Sequence, residues 1–185
     1  MNKFLLRTVV WVSVLMVFVF GYLLYLNKVN RAIESSTKLM LLPEKIPLRA
    51  VGDRFFVYIL LNSQFNDTVA VDTVVMFDKD VLEALDVLPL GSFPTFPESG
   101  RVIDNEKGLV FLSAVNYDEE KRRFASPYRN IGLFGRISFQ VKKSEPTKIE
   151  FLYDQNKTNL TNIIEVETGK NILFEKNQII GALVN

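Results

Sequence analysis

Residues 69–77 read Val-Ala-Val-Asp-Thr-Val-Val-Met-Phe, and this stretch decides the fold class. Val69, Val71, Thr73, Val75 and Phe77 fall on one side of an extended chain; Ala70, Asp72, Val74 and Met76 fall on the other. Successive side chains of a strand point to opposite faces, so the segment reads as a β-strand with one face for a core. Its β-branched residues suit a pleated, half-buried surface. The pattern recurs upstream in residues 54–62 (RFFVYILLN). Downstream it recurs in residues 109–115 (LVFLSAV), 137–141 (ISFQV), 148–153 (KIEFLY), 162–167 and 178–184. Short strands between turn residues point to an all-β sandwich or barrel. After Lys38 no window offers a long amphipathic helix, and residues 80–85 have room for a single helical turn. Two long stretches lack the alternation. One is residues 88–105, with Pro89, Gly91, Pro94, Pro97 and Gly100; the other is residues 116–130 (NYDEEKRRFASPYRN). Loops of that length serve either function or plain surface connection.

Composition narrows the chemistry. The chain has 185 residues, room for one ordinary domain and an accessory segment. It contains no cysteine, which excludes disulfides, thiolate metal sites, cysteine nucleophiles and a lipidated cysteine anchor. It contains no histidine, which removes the commonest general base and the commonest transition-metal ligand. No phosphate-cradling glycine loop occurs, so no cofactor, no metal and no enzymatic activity are expected. Net charge is +1 for the whole chain. Residues 1–38 hold five of the 22 basic and one of the 21 acidic side chains, leaving 17 against 20, a net of −3. A mildly acidic domain is repelled by phosphate backbones, so no nucleic-acid partner is expected.

The apolar excess sits in residues 9–26 (VVWVSVLMVFVFGYLLYL), 18 residues without a charge. That length crosses a hydrocarbon core about 30 Å thick. Trp11 at one end and Tyr22 and Tyr25 at the other are placed for the two interfaces. A cleaved signal peptide has a shorter apolar run of about 7–15 residues and a small-x-small cleavage site. Leu26-Asn27-Lys28-Val29-Asn30 offers none. Residues 1–37 therefore read as an uncleaved single-pass transmembrane anchor with a polar tether from Asn27, and residues 38–185 as one domain. Lys3, Arg7 and the terminal amine favour an inside N-terminus, which puts the domain outside.

Four short motifs occur in order. Ala50-Val51-Gly52-Asp53-Arg54-Phe55-Phe56-Val57 resembles the opening strand of cohesin domains. Val74-Val75-Met76-Phe77-Asp78-Lys79-Asp80-Val81-Leu82-Glu83 resembles their strand-to-turn element, with Lys79 where the family often has proline. Gly135-Arg136-Ile137-Ser138-Phe139-Gln140-Val141-Lys142 resembles a later strand, and Gly169-Lys170-Asn171-Ile172-Leu173 resembles the segment before the last one. The resemblance implies a jelly-roll antiparallel sandwich of about nine strands, related to carbohydrate-binding modules. It also implies docking of a dockerin, a small calcium-loaded helical module, through two polar positions on the strand before the turn. Asp72 matches one of those positions, and Ala70 occupies the other, where asparagine is common in type I members.

Asp72 is thus the sharpest single candidate, either a partner contact on a sheet face or an ordinary solvent-facing residue. Tyr117, Phe124 and Tyr128 share one stretch and are the candidates for stacking on sugar rings, with local loop packing as the alternative. Asp78 and Asp80 fall short of the six to eight oxygens that calcium takes, and read as turn caps. Asp118, Glu119 and Glu120 precede Lys121, Arg122 and Arg123, which reads as a self-compensating charged loop rather than a catalytic carboxylate pair. Asn66, Asn156 and Asn159 fit the glycosylation pattern by chance turn composition. The expectation is a membrane-anchored, extracytoplasmic module that docks a protein partner within polysaccharide-related surface assemblies. Glycan binding and a structural role in an envelope complex are the alternatives.

Overall fold

The computed structural model describes residues 15, 16, 18–22, 37–63, 66–91, 93–173 and 178–185. The chain divides into two units, Met1–Ile33 and Glu34–Asn185. In the first, residues 15, 16 and 18–22 are helical, and Leu15, Met16, Phe18, Val19, Phe20 and Tyr22 are all exposed. Among the described residues no helix is long and apolar enough to cross a membrane. Most of the expected anchor over residues 9–26, and all of the tether except Thr37, lies outside the described residues.

The second unit is built of strands. In chain order they are β1 (Lys38–Leu42), β2 (Lys45–Ile46), β3 (Arg54–Asn62), β4 (Thr68–Phe77), β5 (Leu82–Pro89), β6 (Arg101–Asp104) and β7 (Leu109–Val115). They continue with β8 (Tyr117–Asp118), β9 (Arg123–Phe124), β10 (Ile131–Val141), β11 (Thr147–Phe151), β12 (Asn162–Glu165), β13 (Ile179–Ile180) and β14 (Ala182–Val184). One sheet of five runs β13-β1-β3-β10-β5. A sheet of seven runs β2-β14-β11-β4-β7-β6, with β12 also paired to β4. β8 and β9 form a separate hairpin.

Their inner faces make one core. Leu39, Leu41, Val57, Ile59 and Ile137 of the first sheet are fully buried, as are Val71, Val75, Leu112 and Ile149 of the second. Phe139 joins the layers: it stacks on Phe55 of its own sheet at 5.6 Å and meets Phe77 of the other edge-on at 5.2 Å. Gly135 lets the sheets pack closely, since a Cβ there would lie 2.3 Å from Leu112 Cδ2. Thr73, the one polar residue on the inner face of β4, is satisfied by donating to the Leu112 carbonyl at 2.9 Å.

The strand count exceeds the expected nine, and the sandwich is not wholly antiparallel. Four of the strands (β2, β8, β9 and β13) are two-residue pieces. β13 pairs with β1, and β14 with β2, in parallel. Residues 178–184, expected as one strand, split at Gly181 because the chain changes sheets there: β13 lies on β1 and β14 on β11. Residues 80–85 do not hold a helical turn. Asp78 closes a tight turn, its carbonyl accepting from Leu82 N–H at 2.8 Å, and β5 starts at once. β5 escapes a period-two reading because its register shifts against β10, leaving Leu85 extra and exposed. The stretch 88–105 likewise contains β6, four residues behind a 3-10 turn (Glu98–Gly100).

Candidate functional site

Alternation along β4 sends Ala70, Asp72 and Met76 to the outer face of the seven-stranded sheet. Asp72 stands half-buried between Ser113 of β7 and Asn162 of β12, its direct cross-strand partners. Asn162 is itself buried, and its Nδ2 donates to the Thr158 and Leu160 carbonyls at 2.9 and 3.0 Å. Its Oδ1 is buried and, among the described residues, has no hydrogen-bond partner. An aspartate side chain is chiefly an acceptor. The surface therefore offers the Asp72 carboxylate beside the Ser113 hydroxyl, an arrangement that suits a partner bringing donors, with the Asn162 amide buried beneath its edge.

Two features shape the ground around this pair. On one side, β11 and β12 pair with the same edge of β4, and residues 152–161 loop out between them. The excursion leaves and rejoins at Val74. Leu152 N–H donates to the Val74 carbonyl at 2.7 Å, and Thr161 Oγ1 accepts from Val74 N–H at 3.0 Å. Val74 points outward by alternation yet is buried at this crossing. On the other side lies an apolar groove of about 360 Å³, floored by Ala70 and Val115 and walled by Phe124, Pro127 and Val166.

The structure brings two of the three candidate aromatics together. Tyr117 and Phe124 face each other across the β8–β9 hairpin, ring centroids 5.5 Å apart at 77°, with Phe124 65% exposed. Rings so nearly perpendicular do not offer one stacking plane. Tyr128 instead stacks on Phe93 at 5.4 Å and packs against the core. Its backbone exchanges two hydrogen bonds with Thr68 at 3.1 Å, which ties the loop to β4. Arg129 forks onto Asp67 nearby, and that hydrogen bond holds the Asp67 carboxyl below its ordinary value.

The charged candidates behave as surface groups. Asp118 pairs with Lys121 at 2.7 Å and accepts its backbone N–H at 3.0 Å. The Lys121 hydrogen bond holds the Asp118 carboxyl below the ordinary carboxylate value, the opposite of what a proton-donating catalytic acid requires. Asp78 Oδ1 accepts Asp80 N–H at 2.9 Å, a turn cap. Among the described residues no three His, Cys, Asp or Glu side chains are placed to hold a metal ion. Asn66 is turned into the fold, donating to Thr37 Oγ1 at 2.6 Å.

No protein-family model matches the chain, and no curated protein matches it. Solved structures do. The sixth cohesin of scaffoldin B from Acetivibrio cellulolyticus, in complex with a mutant Cel5 dockerin, aligns with a TM-score of 0.60 at 12% identity, over 81% of this chain and 98% of that one. The cohesin CaCohA2 of Clostridium acetobutylicum aligns with a TM-score of 0.59 at 13% identity, over 81% and 90%. The fold is cohesin-like. A type II cohesin domain from the Acetivibrio cellulolyticus cellulosome adds a TM-score of 0.54 at 16% identity, over 81% and 95%. In this cohesin-like unit sequence reasoning missed Ser113 and Asn162, because cross-strand register cannot be read along a single strand. It also missed the groove, whose lining comes from four separate segments.

Proposed function

We propose that this cohesin-like unit is a docking module, that its contact surface is the outer face of the seven-stranded sheet centred on Asp72, and that it catalyses no reaction. Its partner is a dockerin-like protein. A single N-terminal anchor over residues 9–26 holds it to a membrane, N-terminus inside and domain outside, in polysaccharide-related surface assemblies. The observation that carries the reading is the half-buried pair Asp72–Ser113 on the outer sheet face, with the apolar groove two residues along β4. A donor-bearing partner seats its polar groups on the pair and an apolar side chain in the groove. Fold likeness to cohesins, one of them in complex with a dockerin, supports the choice of partner. The uncharged run over residues 9–26 and the exposed apolar side chains of its described part support the anchor.

The test is titration of the full chain, in calcium, with a panel of type I and type II dockerins. At least one is expected to bind, and Asp72→Arg to weaken it by about 30-fold or more, as truncating or reversing a desolvated charge does. Unchanged binding by Asp72→Arg would remove the proposed surface. Binding to a polysaccharide, lost in Phe124→Ala, would replace the protein partner with a glycan.

A further inference from the structure

The outer face of the five-stranded sheet is uneven from end to end. Cross-strand register sorts its outward side chains into rows. The first, at the end where β1 starts, is Lys38–Asn62–Ile131. The second is Ile180–Met40–Leu60–Leu133. The third is Leu42–Tyr58–Arg136–Leu88. Ile131, Leu133 and Leu88 are 57%, 41% and 38% exposed. A contiguous apolar field of this kind marks an interaction surface. Its only charges, Lys38 and Arg136, are both cationic. Among the described residues neither makes an ion pair, and the Arg136 guanidinium lies over the Phe56 ring at 4.5 Å. The anions Asp86 and Glu83 stand in the two rows beyond, across from Phe56 and Arg54. The face is thus apolar and cationic at one end, with its carboxylates at the other.

We infer that this apolar, cationic end of the five-stranded sheet rests on a lipid surface, that of the bilayer holding the proposed anchor; the inference rests on that anchor reading. Where the chain enters the sheet is the first reason. Thr37, directly before β1, is buried, with Asn66 Nδ2 donating to its Oγ1 at 2.6 Å and Gln178 Nε2 donating to its carbonyl at 2.8 Å. Residues 27–36 join it to the uncharged run and span at most about 35 Å even when fully extended. The attachment point is therefore fixed at the apolar end. Charge is the second reason. Cations among apolar neighbours lay their stems along the surface and reach anionic headgroups with their heads. Size is the third. Three rows about 7 Å apart across four strands about 4.8 Å apart cover on the order of 300 Å². A standard protein partner takes about 800 Å². Asp72 lies on the other sheet, so lipid contact here leaves the proposed docking face to solvent.

The test uses the absence of cysteine. The full chain carrying Ile131→Cys takes an environment-sensitive fluorophore and is reconstituted into vesicles of phosphatidylcholine and phosphatidylglycerol. Some of the lipids bear a nitroxide just below the headgroup. The label is expected to lose most of its emission. The same label at Val102→Cys, 43% exposed on the outer face of the other sheet, is expected to keep it. Vesicles of phosphatidylcholine alone, or Lys38→Glu with Arg136→Glu, are expected to restore much of the Ile131→Cys emission. Flotation of the chain with the vesicles reads the anchor separately. A chain that floats with its Ile131→Cys label unquenched overturns the inference and leaves the anchor standing. Equal quenching of both labels overturns it too, and quenching indifferent to lipid charge and to both reversals overturns the role given to the cations. A chain that does not float overturns the anchor and this contact together.

Discussion

A methyl group added at Gly108 would lie 2.3 Å from the Phe77 carbonyl oxygen, in a backbone with φ at +68°. Only glycine takes that conformation without strain, and the turn it closes returns a hydrogen bond from Phe77 N–H to the Gly108 carbonyl at 2.9 Å. Gly108→Ala is expected to cost about 1–3 kcal/mol, seen as a lower urea midpoint with an unchanged slope. At this scale the sequence was readable wherever a residue breaks a pattern. Asp72 announces itself as a carboxylate among Ala70, Val74 and Met76, and it lies on the outer face as the alternation requires. Tyr128 has no such signature. Its ring is claimed by Phe93, a neighbour brought in by the fold from far along the chain, and nothing local to residues 116–130 records that contact.

Among the elements, the split edge beside β4 carries the clearest energetic consequence. Thr161 Oγ1 stands in for a missing strand, accepting Val74 N–H and donating back to the Val74 carbonyl at 3.2 Å. Thr161→Val keeps the shape and leaves a buried backbone donor unpaired. It is expected to cost about 1–3 kcal/mol and to speed hydrogen exchange at the Val74 amide. Isolated strands with clean alternation were legible to the residue: β3 and β7 begin and end where the pattern does. β5 and β6 were not. A bulge puts β5 out of phase, and β6 is four residues long inside a proline-rich stretch. The break of the last strand at Gly181 is invisible to a periodicity, since both halves alternate. It shows only in the close approach to the Ile149 carbonyl, 2.7 Å from where a Cβ would stand.

Over the whole molecule, stability is shared between two sheets that meet through one core of large apolar side chains. Phe139 links them, touching Phe55 in one layer and Phe77 in the other. Phe139→Ala is expected to cost about 3–5 kcal/mol and to lower the unfolding midpoint by near- and far-ultraviolet dichroism alike, because both layers lose the same contact. The sandwich was legible because apolar alternation in several short segments leaves no other way to bury one face of each strand. Which strand neighbours which was not, because pairing is a property of two segments and periodicity describes one. The excursion over residues 152–161 starts and finishes at Val74, so its length is independent of the register of β4. Mutations and insertions accumulating there would redraw the rim of the proposed docking face without disturbing the interior. On the docking proposal, specificity can therefore drift at little cost to foldability.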